Sequence, residues 1–163
     1  MAPPLAAQRE GRQVDWSVML AAARAWRDQC ELLIVEGAGG LLCPVTETEL
    51  LVAFAAELGH PLVIVAANRL GVVNHTLLTL QVAERNSLPV AAVVLNDISA
   101  ESDRSAANNS ELIARFAPDV PLLRLMWGQS TFVTREGSWT GLDWRRASLI
   151  GSRHTGQVRL RQS

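Results

Sequence analysis

Glu36 ends a short apolar run, Leu32 to Val35, and is followed by Gly37, Ala38, Gly39 and Gly40. A lone carboxylate in that place can ligate Mg²⁺, a hard cation that otherwise keeps waters and substrate phosphates around it. The glycines let backbone N–H groups approach phosphate oxygens closely. A second cluster, Gly71, Val72, Val73 and Asn74, opens a helix, where free N–H groups and the helix dipole favour an anion such as a carboxylate. A third, Asn96 and Asp97, closes the apolar run 90–95. The Asn96 amide both donates and accepts, which matches the N6/N7 edge of adenine. Each cluster has a plainer reading: a glycine-rich turn, a helix start, a strand-end cap. His75, in the first turn of its helix, is read as structural.

The elements that must position these groups are legible from periodicity. Residues 1–13 form a lead-in without periodicity. Asp15 can cap a helix in which Trp16, Met19, Leu20, Ala23 and Trp26 recur at helical spacing, ending near Cys30. A strand is predicted at 32–36 and a helix at 48–58, stopped by Gly59. PLVIVAA, residues 61–67, reads as a strand buried on both faces of a parallel sheet. A turn at 68–75 opens a helix to about Arg85, and a strand follows at 90–95. The polar segment 99–110 leads into a helix at 111–116, and 120–126 is a last short strand. Helix and strand alternate with short connections, so the fold class is α/β: a mostly parallel, doubly wound sheet with flanking helices. All three polar clusters then lie beyond the carboxyl ends of strands, where ligands bind in such sheets. Residues 1–150 are expected to form one domain. LDWRRASLI, 142–150, is compatible with a short helix or strand, and 151–163 is read as a polar, arginine-rich, disordered tail.

Composition narrows the function classes. The chain has 163 residues, 48% of them hydrophobic, and a formal charge of −1. That is globular material with no charge excess to attract nucleic acid. No apolar run approaches the ~18 residues of a membrane span. MAPPLAAQREGR has no signal-peptide pattern, so the expectation is a soluble, cytoplasmic protein with Cys30 and Cys43 as free thiols. All fifteen basic residues are arginine. Chemistry that needs a lysine amine cannot be completed by these residues alone.

VEGAGG at 35–40, NRLGVVNHT at 68–76 and VVLND at 93–97 together resemble the dethiobiotin synthetase family, in its order and rough spacing. APPLAAQREGR is similar to that family's SPHxAA…EGR segment, with Pro4 where a histidine is usual. The resemblance runs from residue 1 to about 126, the family's C-terminal two-thirds, and LDWRR is similar to a C-terminal piece of some members. VEGAGG also occurs in cobyrinate-type amidotransferases; the NRLGVVNH element is the more discriminating motif. The resemblance implies a P-loop NTPase-like fold and an ATP- and Mg²⁺-dependent ring closure in biotin biosynthesis. There, 7,8-diaminononanoate takes up CO₂ as a carbamate, ATP phosphorylates it, and the second amine displaces phosphate to close the ureido ring. By resemblance Glu36 is a Mg²⁺ ligand, and Gly37, Ala38 and Gly39 line the nucleotide phosphates. Gly71, Val72, Val73 and Asn74 hold the substrate carboxylate near a homodimer interface, and Asn96 and Asp97 meet the adenine.

The family also carries a GTDTxVGKT P-loop strand, a diamine-binding lysine and a metal-binding aspartate, none of which has a counterpart here. Arg69 replaces the lysine of KLG, and RLMW at 124–127 stands where the family has GEIP. The expectation is therefore a truncated homologue, inactive as these residues alone, with no catalytic residue of its own. The alternatives are a non-catalytic α/β protein that keeps the dimer or carboxylate-binding surface, and an amidotransferase of the cobyrinate type.

Overall fold

A computed structural model describes residues 1–27, 29–101 and 105–134, and the backbone of 139–140. The chain forms two compact units, Met1–His60 and Pro61–Ser163.

The first unit is helical. Helix α1, Pro3–Arg9, occupies part of the lead-in expected to be irregular; Pro3 and Pro4 at its start need no N–H donor there, which suits a first helical turn. Helix α2, Trp16–Ala25, starts as expected at Asp15, whose carboxylate accepts from the Val18 N–H (3.1 Å) and the Ser17 hydroxyl (2.6 Å). Those bonds, Ser17 first, hold the Asp15 carboxyl below its ordinary pKa. Helix α3, Leu51–Leu58, ends at Gly59, which adopts the left-handed conformation glycine tolerates. Leu20, Phe54 and Leu58 make the core, with Trp16, Met19, Ala23 and Leu51 packed on it. The Trp16 and Phe54 rings meet edge to face at 5.6 Å, and Trp16 Nε1 donates to Glu57.

The strand expected at 32–36 does not form. Residues 32–37 take up no regular secondary structure and pair with no strand among the described residues, and Leu32, Ile34 and Val35 are exposed. An apolar run is compatible with a strand, yet only a ladder partner makes it one.

The second unit holds the sheet, in the order β1 (Leu62–Ala67), β2 (Val90–Asn96), β3 (Leu122–Leu125), β4 (Phe132–Thr134), β5 (Trp139–Thr140). Pairs β1–β2 and β2–β3 are parallel; β3–β4 and β4–β5 are antiparallel. Three of the four expected parallel strands are thus present, and two short antiparallel strands extend them. Helix α4, Val72–Arg85, connects β1 to β2, and α5, Ala106–Phe116, connects β2 to β3. Helix α5 starts five residues before its expected position, within the polar segment, because Ala106 and Asn109 already belong to its buried face. Strand β2 is buried along six of its seven residues. Strand β1 is not buried on both faces as expected: among the described residues it pairs only with β2, and Val65 is 64% exposed. Leu95, Val72 and Ile113 centre the core, with Ala66, Val73 and Leu122 against them. The readings of 142–150 and 151–163 lie outside the described residues.

Candidate functional site

In the first unit, Glu36, Gly37, Ala38 and Gly39 form an exposed segment leading into a turn. The local sequence makes the backbone tight here. A Cβ on Gly37 would collide with the Leu51 side chain, and Gly39 takes φ +89°, with Cys43 Sγ 3.1 Å from where a Cβ would stand. The loop closes through Val45 N–H to Glu49 O (2.8 Å), and Thr46 Oγ1 accepts from the Thr48 and Glu49 N–H groups. The Glu36 carboxylate makes no hydrogen bond or ion pair among the described residues, so its oxygens are open to a cation. Among those residues no group of three His, Cys, Asp or Glu side chains converges as a metal cage. A single free carboxylate fits Mg²⁺, which takes its remaining ligands from water and phosphate. Pro4, Gln8 and residues 11–14 border a shallow, open cleft with Thr46, Glu47 and Thr48.

In the second unit the carboxyl ends of β1, β2 and β3 lie side by side. Asn96 ends β2 in register with Ala67 of β1 and Leu125 of β3, whereas Leu95 lies between Ala66 and Arg124. Side chains alternate along a strand, so Leu95 and Arg124 share the face packed with Val72 and Ile113, and Asn96 projects from the other. The Asn96 amide is half-buried and without a side-chain hydrogen bond among the described residues. Asp97, one residue on, is engaged within the protein. Arg124 Nη2 pairs with Oδ2 at 2.8 Å and Nε with Oδ2 at 2.9 Å and Oδ1 at 3.2 Å. Asn68 Nδ2 donates to Oδ1 at 2.7 Å. The Asp97 side chain is 10% exposed and that of Arg124 34%.

Gly71 N-caps α4 with φ +92°, a conformation that strains any residue with a Cβ. Val72 is buried, Val73 partly so, and Asn74 and His75 are exposed on the first turn. The turn before it is held by Arg69 N–H to Ala67 O and Val72 N–H to Arg69 O.

Two residues of this end, Asn109 and Arg124, carried no weight in the sequence reading. Asn109 is 4% exposed and donates to Asn68 Oδ1 at 2.9 Å. Its signal was the spacing of Ala106, Asn109 and Ile113, one face of a helix starting earlier than expected. Arg124 was legible only as a departure from a motif.

Residues 1–125 match the family model described as "AAA domain". A protein named ATP-dependent dethiobiotin synthetase BioD from Anaeromyxobacter dehalogenans (strain 2CP-C) is 45% identical over 127 residues, 78% of this chain and 57% of that protein. Proteins of the same name from Bacillus subtilis (strain 168) and Chlorobaculum tepidum are 39% and 40% identical, over 76% and 69% of this chain. Their own coverage is 53% and 47%, so the chain spans about half the length of the curated relatives it matches. The fold and the matched model place the chain in the AAA-domain family of α/β proteins. Within it, the chain belongs to the dethiobiotin synthetase family. Among the described residues no helix is long and apolar enough to cross a membrane.

Proposed function

We propose that this chain serves ATP- and Mg²⁺-dependent closure of the ureido ring of dethiobiotin from 7,8-diaminononanoate and CO₂, and does so in the cytoplasm. The observation that carries the reading is the retention, in one chain, of VEGAGG, NRLGVVNHT and VVLND, two of them at carboxyl ends of adjacent parallel strands. The name shared by the relatives, ATP-dependent dethiobiotin synthetase BioD, supports the reaction class.

In this reading Glu36 supplies one oxygen to Mg²⁺, which when bound offsets phosphate charge, and Gly37, Ala38 and Gly39 border the nucleotide phosphates. Asn96 offers its unengaged amide to the adenine edge, with Asp97 beside it supporting the strand end from within. The turn from Gly71 to Asn74 holds the substrate carboxylate, through its N–H groups other than that of Val72, which is given to Arg69 O. Two copies pair, and the exposed Leu70 and Leu78 are apolar surface such pairing would cover. The 163 residues contain no lysine. Removing a single preorganised donor from a charge-stabilising site costs ~10²–10³ in rate, so these residues alone are expected to bind nucleotide weakly and to form no measurable dethiobiotin. That absence favours, as a second reading, a non-catalytic protein that keeps the carboxylate-binding turn.

Calorimetric titration of the purified chain with ATP, with and without Mg²⁺, tests the proposal. Weak binding strengthened by Mg²⁺ and abolished by Glu36→Gln is expected. Binding indifferent to both would leave the non-catalytic reading. Robust dethiobiotin synthesis by residues 1–163 alone would overturn the inactivity.

A further inference from the structure

We infer that Arg124, Asp97, Asn68 and Asn109 form a polarised hydrogen-bond relay whose task is to set the turn that presents the Gly71–Asn74 amides, making these four positioning residues for the bound carboxylate. The inference rests on the substrate-site reading above for its ligand and on geometry for everything else.

The direction of every bond in the relay follows from one group. Asp97, paired with Arg124, offers only acceptors, so Asn68 must turn its NH₂ toward it. That orientation leaves Asn68 Oδ1 facing the other way, where it can only accept, and Asn109 Nδ2 donates to it. The same Asn109 amide lies 3.5 Å from Arg69 O, the carbonyl that also accepts from the Val72 N–H at the start of α4. The Asn68 N–H bonds Asn96 O and the Asp97 N–H bonds Leu125 O, so the backbones at the ends of all three parallel strands are tied to the same relay. Asn68 and Asn109 are each 4% exposed, so neither can exchange its partners for water. A packed core alone would secure the helix. A chain of four polar side chains, its two asparagines buried, with a single allowed direction and ending on the carbonyl two residues before Gly71, specifies where the turn sits.

The test uses the full chain, isotopically labelled, and reads the amide resonances of Gly71 to Asn74 before and after 7,8-diaminononanoate is added. Asp97→Asn lets the Asn68 amide face either way. It should move those resonances in the ligand-free protein and weaken diaminononanoate binding about tenfold, the scale of one charge-assisted hydrogen bond. Asn68→Asp, which sets two carboxylates against each other, should do the same. The exchange Asn68→Asp with Asp97→Asn restores a donor opposite an acceptor. It should move the resonances back toward those of the parent and recover part of the tenfold loss of affinity. Recovery is incomplete because Arg124 then faces a neutral amide and the carboxylate sits at the buried position 68, without the donor to Ala106 O. A merely structural role would lower the melting temperature without that return. If Asn68→Asp does not fold, Asn109→Ala cuts the relay at its last bond and must shift the same amides. Ligand-free resonances unchanged by Asp97→Asn would overturn the relay. Wild-type resonances indifferent to diaminononanoate would instead overturn the substrate site and leave the relay standing.

Discussion

Residues 32–37 and residues 90–97 share one plan: an apolar run followed by a carboxylate, Glu36 directly and Asp97 after Asn96. Their fates differ. The second becomes β2, flanked by β1 and β3, with Val93 and Leu95 fully buried. The first has no regular structure, pairs with no strand among the described residues and is mostly exposed, with Ile34 65% accessible. The carboxylates differ in the same sense. Asp97 is held by Arg124 and Asn68, and Glu36 is open to solvent and to a cation. Pairing on both sides turns an apolar run into a core and a carboxylate into a structural anchor; without it both remain available to a ligand.

Hydrogen exchange should show the contrast most widely. Amides of 92–95 should exchange near the rate set by global opening, and those of 32–37 orders of magnitude faster, with little protection. Equal protection in the two segments would erase the distinction. Truncation should follow the same division. Leu95→Ala is expected to cost ~2–5 kcal/mol in a urea melt, from lost burial and the cavity left behind, whereas Ile34→Ala should stay within ~0.5 kcal/mol.

Asp97→Ala removes the partner of a guanidinium that keeps a third of its surface in water. A loss of ~1–3 kcal/mol is therefore expected in the same melt, below the figure for a fully buried pair. Glu36→Ala should leave the melt unchanged. Thr76 sharpens the case for satisfied polarity. Its hydroxyl, buried on α4, lacks a hydrogen-bond partner among the described residues, so Thr76→Val should raise stability by ~1 kcal/mol.

The smallest effect belongs to the first unit and to pH. The Asp15 carboxyl titrates below its ordinary 3.8 because of the Ser17 hydroxyl and the Val18 N–H. A depressed carboxyl contributes stability above its unfolded pKa and loses it as pH falls through the folded one. An acid titration of helix content should therefore show α2 weakening below about pH 3.8, with Asp15→Asn, still a competent cap, removing that dependence.

Much of this was legible without coordinates. Asp15 as cap, Gly59 as stop and Gly71 as the hinge before α4 follow from local chemistry that needs no partner. The runs at 61–67, 90–95 and 120–126 were long or apolar enough to read as strands, and their alternation with helices implied parallel order. The polar clusters were visible because Glu, Gly and Asn at strand ends are chemically distinctive. Helix α1 was missed because seven residues opening on two prolines show too little periodicity. Strands β4 and β5 were missed because three and two residues cannot display alternation.

By itself, then, the sequence determined the local events and the family: caps, turns, apolar runs and the three motifs are properties of contiguous residues. Tertiary structure alone decided which apolar run joined the sheet, since backbone hydrogen bonds need a neighbour that no single segment contains. It alone separated Asn96 from Asp97, because register and alternation send adjacent side chains to opposite faces. And it alone joined Asn68, Asp97, Asn109 and Arg124, residues up to 56 positions apart that share one relay only because three strands end and helix α5 begins at the same place.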